Sequence, residues 1–222
     1  MLLSRLQALI GGIYDVSIAY DVYDFLVTDR SCLPPAAHAG AADEELLVAQ
    51  SADGAEVELS LYLDPALLAR LACADPLVRL HAGNVADYWT ALEGVSHFLY
   101  LAWNAGHDKP VSLLELEMQA EVDKYIASYW IMRRQYPRHF PAELRRVLFE
   151  RTRIDPRLAQ GRQRLYGEAS RYAERFCRRL EHRLGSAGSG EGNQRHNEVL
   201  AELRRFYRLT NARKRSHIER SS

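Results

Sequence analysis

The sequence predicts an α+β protein: a small antiparallel sheet of about three strands near the amino terminus, packed on a mainly helical bundle. Three observations lead there. Two runs that alternate apolar and polar residues, "EELLVAQ" and "AEVELSLYLD", flank Asp53-Gly54, and Asp-Gly tolerates the positive φ that tight hairpin turns require. From Asn84 onward apolar residues recur at the 3.6-residue period of helices. Helix start signals, Asp-Pro and Ser-x-x-Glu, punctuate those segments.

In chain order, "MLLSRLQALIGGIYDV" reads as a first helix. Its apolar run is short, is broken by Gly11 and Gly12, and is followed by no A-x-A site, so neither a leader nor a membrane span is expected. "AYDVYDFLVTDR" alternates and predicts a strand around Val22 to Val27, before the loop "SCLPPAAHAGAAD". The hairpin follows, with Val57, Leu59 and Leu61 on one face and Glu58, Ser60 and Tyr62 on the other. Asp64 and Pro65 open a short helix as N-cap and first turn. Asp75-Pro76 starts a further turn through Leu80.

A helical hairpin from Asn84 to Met132 organises the remainder. Asn84 is expected to cap its first helix, and Ser112 with Glu115 forms a capping box for the returning one. Pro141 begins another helix, and Asp155-Pro156 begins a longer one with the stripe Leu165, Ala169, Tyr172, Ala173, Phe176, Leu180 and Leu184. "GSAGSGEGNQ", residues 185–194, reads as a flexible linker. The last segment is expected to form one helix through Leu200, Leu203, Phe206 and Tyr207 and then a basic tail. The expected organisation is therefore an acidic α+β region, 1–83; a bundle, 84–184; the linker; and a basic helix with its tail, 195–222.

Composition narrows the class. Hydrophobic residues make up 47% and charged residues 26% of the 222, which is ordinary for a soluble globular chain. Cys32, Cys73 and Cys177 are odd in number and widely spaced, which argues against a disulfide framework and for a reducing, cytoplasmic setting. Zero net charge conceals a division. Residues 1–130 hold six bases against 19 acids, a net −13, and residues 131–222 hold 23 bases against ten acids, a net +13. That asymmetry points to a partner, or to attraction between the halves.

One cluster of side chains has the types that site chemistry uses. If the two hairpin helices face each other, Glu93 and His97 on the first can meet Glu117, Glu121 and Lys124 on the second, each helix presenting an i,i+4 pair. As a wet face this polar seam needs no function, with Lys124 answering Glu121. As a metal site, Glu93, His97, Glu117 and Glu121 would be the ligands, although the Glu-x-x-His repeat of di-metal bundles is missing. As a catalytic site, His97 would be the acid or base, with Glu93 and Glu121 beside it, but no nucleophile completes the set: Ser96 points about 100° around the helix from His97. No dinucleotide, Walker, nucleophile-elbow or H-E-x-x-H pattern is present.

The arginine-rich final third offers a second surface: Arg178, Arg179, Arg204, Arg205, Arg208, Arg213, Lys214 and Arg215. A phosphate-tracking face is the functional reading. Pairing with Glu168, Glu174, Glu181, Glu198 and Glu202 is the structural one. From the sequence alone the leading expectation is a non-catalytic adaptor or assembly subunit. It would bind another protein, or a second copy, through the aromatic-rich hairpin and the divided charge, with no cofactor and no membrane partner. Nucleic-acid binding through the basic third is the first alternative, and a metal-dependent enzyme at the hairpin the second.

Overall fold

The computed structural model describes residues 1–33, 42–50, 57–137, 140–150, 156, 158–185 and 192–220. They form two compact units, Met1–Gly11 with Val16–Pro110, and Gly12–Asp15 with Val111–Ser222. The division falls between the two long helices that follow residue 84. The first helix, α1 (Leu2–Tyr14), gives most of its length to the first unit and its last turn to the second.

The first unit is α+β as expected, and its sheet is mixed. Strand β2 (Glu44–Gln50) pairs antiparallel with β3 (Val57–Leu63), matching Leu46 with Leu61 and Val48 with Leu59. The Asp53-Gly54 turn lies outside the described residues. The strand expected at Val22 to Val27 is only β1, Leu26–Val27, and it pairs parallel with β3, so the order is β1-β3-β2. The expected strand is shortened because Asp21 caps a 3-10 turn over Val22–Phe25, its carboxylate accepting from Tyr23 N. Asp and Asn side chains compete in this way with strand pairing.

Alternation along β3 divides its neighbours. Leu61 and Leu63 are buried on one face, where the sheet meets α3 (Val85–Ala105). On the other face Tyr62 is buried too, among Leu33, Val27 and Leu47, with the Arg30 guanidinium 4.6 Å from its ring centre. Helix α2 (Pro65–Cys73) is capped as the sequence predicts, Asp64 accepting from Ala66 N and Leu67 N. Asn84, by contrast, makes no side-chain cap bond to α3. Its amide ties the preceding turn together, accepting from His81 N and donating to the carbonyls of Ala74 and Arg79.

Among the described residues the secondary structure of the second unit is helical: α4 (Leu113–Gln135), α5 (Leu144–Glu150), α6 (Gln160–Gly185), α7 (Gly192–Arg208) and α8 (Asn211–Arg220). Ser112 caps α4 by accepting from Glu115 N. The stripe read on α6 is its buried face, including Ala169, Ala173, Phe176, Leu180 and Leu184. Phe176 stacks on Phe206 of α7 with ring centres 4.0 Å apart. Each such ring, fully removed from water, contributes about 1.5–3 kcal/mol. Arg145 joins α5 to α6 through two 2.7 Å bonds, to Glu174 and Glu181.

Two expectations for the end of the chain are corrected. The final basic tail is a helix, α8, which buries Ile218 and Lys214. Of the expected linker, Gly185 ends α6 and residue 192 begins α7, and residues 186–191 lie outside the described set. No helix of the described residues is long and apolar enough to cross a membrane.

Candidate functional site

The polar seam was expected between the two hairpin helices, and these belong to different units. Within the first unit, the polar groups of α3 meet a residue that the sequence did not flag. Glu93 and His97, one turn apart on α3, present ligand atoms within 4.8 Å of each other. Glu44, the first residue of β2, brings its Oε1 to 3.6 Å from His97 Nδ1, and both side chains are largely buried.

The local sequence explains how a strand carboxylate reaches a buried helix face. Period-two alternation puts Glu44 on the same side of β2 as Leu46, whose partner Leu61 lies against α3. On α3 the residue beneath that contact is Gly94. A Cβ there would come within 2.7 Å of Leu61 Cδ1, 3.0 Å of Glu44 Cγ and 3.2 Å of Glu44 Oε1. Glycine in a helix interior costs about 1 kcal/mol relative to alanine, and here the missing side chain is the space the sheet and the Glu44 carboxylate occupy. That glycine, in "LEGVSHF", is the sequence signal that could have pointed to a close approach at this turn of the helix.

Glu44, Glu93 and His97 together supply two carboxylates and one imidazole from two elements of one unit. Oxygen and nitrogen donors without a thiolate suit divalent Mn, Fe or Zn. A single divalent ion would balance the two carboxylates. In the absence of an ion, the Glu44 carboxylate 3.6 Å from His97 Nδ1 is the arrangement of a histidine acid or base oriented by a carboxylate.

The other seam residues lie on α4 in the second unit. Lys124 Nζ donates to Glu121 Oε1 at 2.9 Å, the pairing that the structural reading of the seam expects. Lys124 and Glu117 are both buried. Of the most deeply buried polar groups of this unit, Tyr14, Gln119 and Asp123 were not read from the sequence as site residues, and Lys214 was read as surface. Tyr14 donates to Asp123 Oδ1 at 2.5 Å, Gln119 donates to the same oxygen at 2.8 Å, and Lys214 donates to Gln119 Oε1 at 2.5 Å. The Lys214 ammonium also lies 4.7 Å from the Phe206 ring centre, a cation-π contact. Burial first, and then the Asp123 carboxylate beside it, push the Tyr14 hydroxyl well above the ordinary tyrosine range. Burial likewise raises the Cys177 thiol, followed by nearby acids of which Glu121 is the foremost, and Cys177 lies on the buried face of α6.

The basic surface is smaller than the sequence suggests. Lys214, expected on it, is completely buried. Arg204 and Arg208 cap the carboxyl end of α1, donating to the carbonyls of Ile13, Tyr14 and Asp15. This is where a helix presents unsatisfied oxygens and a negative dipole end, and Asp15 adopts the left-handed φ of 55° that terminates the helix. Arg178 bonds Glu174, Arg179 donates to the His217 carbonyl, and Arg215 bonds Tyr172. Of the eight residues, Arg205 and Arg213 are exposed.

The aromatic residues of the hairpin are mostly internal. Tyr88, Phe98, Tyr100, Tyr125 and Tyr129 are buried, which removes them as anchors for a partner. Compared with known protein families, curated proteins and solved structures, the chain matches none.

Proposed function

We propose that this chain is a divalent-metal protein whose site is carried by Glu44, Glu93 and His97. The observation behind this reading is the approach of the Glu44 carboxylate over Gly94 onto the face of α3 that holds Glu93 and His97. Three protein ligands leave coordination positions for water or substrate, the pattern of catalytic rather than closed structural metal sites. The chemistry that a bound ion supplies there is Lewis-acid activation of an oxygen ligand. His97 must coordinate as the neutral imidazole, so affinity should fall as pH drops through the histidine range.

Metal analysis of protein purified without chelators, followed by a Co2+ titration read by visible absorption, tests the reading. Wild type should take up about one equivalent, and His97→Ala and Glu44→Gln should each weaken binding by roughly ten- to a hundredfold. No uptake by folded wild type overturns it, as does uptake unchanged in both variants.

A second reading, an assembly subunit, is favoured by a different observation. Strand β2 is at the sheet edge, and Val48 on it is 54% exposed. Open edges of this kind are templates for a further strand. Antiparallel self-pairing centred on Leu47 would set Glu45 opposite Ala49 and Leu46 opposite Val48, which keeps like charges apart. The occupant is accordingly a second copy. Sedimentation should show a dimer that Val48→Lys converts to monomer; a wild-type monomer at about 100 μM, well above a micromolar Kd, removes this reading.

A further inference from the structure

The last two helices enclose a groove of about 620 Å³, lined by Arg205 and Leu209 at the end of α7 and by Arg213, Ser216, His217 and Arg220 along α8. The spacing 213, 216, 217 and 220 is one helical face, and Arg205 with Leu209 forms the opposite wall. Among the described residues no carboxylate lines it. Glu202, which is close enough to matter, is engaged at 2.6 Å by His217, and Glu219 accepts from Tyr172. Arg220 donates to Ser216 Oγ at 2.9 Å, which holds its guanidinium along the groove.

The contrast with the other large groove of this unit is informative. That one, about 450 Å³, is lined by Arg171, Arg175 and Arg178 together with Glu168 and Glu174, so its charge is nearly answered. Among the described residues the α7–α8 groove carries three guanidiniums and no carboxylate. Fixed like charges in a concave site repel, and holding three of them together is offset when a polyanion enters. Guanidinium forks match phosphate oxygens in bidentate fashion.

We infer that the α7–α8 groove is a binding site for a compact oligophosphate, recognised by Arg205, Arg213 and Arg220. Three positive charges around one concavity call for a ligand with about three negative charges in a short length. A linear triphosphate has that density. A duplex backbone would need an extended basic stripe, and Arg178, Arg179, Arg204, Arg208 and Arg215, which would have formed it, each hydrogen-bond to other groups of the protein.

Calorimetric titration of the full chain with tripolyphosphate and with ATP, at constant ionic strength, tests this and distinguishes a free oligophosphate from a nucleotide's phosphate tail. Binding of either is the expected result; ATP binding at least tenfold tighter would assign the nucleotide as source, and equal or weaker binding the free chain. R205Q, R213Q and R220Q should each weaken it by about tenfold, the loss of one charged hydrogen-bonding group, while R178Q, at the other groove, leaves it unchanged. These side chains are exposed, and circular dichroism confirms that each variant is folded. The inference is overturned if neither ligand binds at millimolar concentration, if the triple variant binds as well as wild type, or if only single-stranded oligonucleotides bind.

Discussion

Two buried polar clusters, one in each unit, solve the same problem in opposite ways. In the second unit donors and acceptors alternate along a chain: Tyr14 gives to Asp123, Gln119 gives to Asp123 and accepts from Lys214. One anion and one cation are bridged by an amide that serves both, so the network closes on itself. In the first unit Glu44, Glu93 and His97 are all residue types that ligate metals, and two of the three carry the same charge. Buried polar groups are tolerated when satisfied and costly when not. The difference teaches that chemistry should be sought where the groups share one sign, and that the network with balanced charge belongs to the scaffold.

The most severe way to break that contrast is to open the closed network. Asp123→Ala leaves Lys214 buried without its bridged counter-charge and Tyr14 without its acceptor. A loss of about 3–5 kcal/mol is expected from stranding a buried ion in this way. Lys214→Met keeps the apolar stem against Phe206 and Tyr207 and should cost less, about 1–3 kcal/mol for the orphaned Gln119 oxygen. If the groups act as one network, the double variant should be more stable than the sum of the singles predicts, by about 0.5–3 kcal/mol. Urea unfolding midpoints measure all three. Strict additivity would show that Asp123 and Lys214 are independent and that the closed network is a wrong description.

The fold was largely legible in the sequence, and the polar contacts were not. Asp64, Ser112 and the α6 stripe are local signals, read within four residues of the feature they specify, and the structure bears them out. The β2–β3 hairpin is similarly local. Parallel pairing of β1 depends on a partner more than thirty residues away, and its shortness on the Asp21 cap of the 3-10 turn that takes up the start of the expected strand. The Tyr14–Asp123–Gln119–Lys214 chain spans most of the sequence, and no local pattern around positions 14 or 214 marks those residues as internal. Lys214 sits among arginines in "NARKRSHIER" and reads as surface. That it is the only lysine after residue 130 is the hint that was there: a single-point ammonium fits over an aromatic face beneath an amide, where a planar fork does not. The candidate site was half legible. Glu93 and His97 share a helix face, but Glu44 arrives from a strand whose acidic start looks like solvent-facing charge.

A smaller change sharpens the comparison from the other side. Gly94→Ala adds one methyl group where Leu61 Cδ1 would be 2.7 Å and Glu44 Cγ 3.0 Å away. Helix propensity alone favours alanine by about 1 kcal/mol. Overpacking against a buried leucine opposes it by about 1–3 kcal/mol, so the net should be a destabilisation of about 0–2 kcal/mol, well below that of Asp123→Ala. The more telling effect is positional. Leu61 Cδ1, the nearer contact, must shift, and the Glu44 side chain, whose Cγ and Oε1 would lie 3.0 and 3.2 Å from the added carbon, shifts with it, so the carboxylate is displaced from α3. Co2+ affinity should then fall nearly as far in Gly94→Ala as in Glu44→Gln, although no ligand has been replaced. If stability drops while Co2+ binding is untouched, Gly94 serves only sheet packing, and the approach of Glu44 to His97 has no part in binding metal.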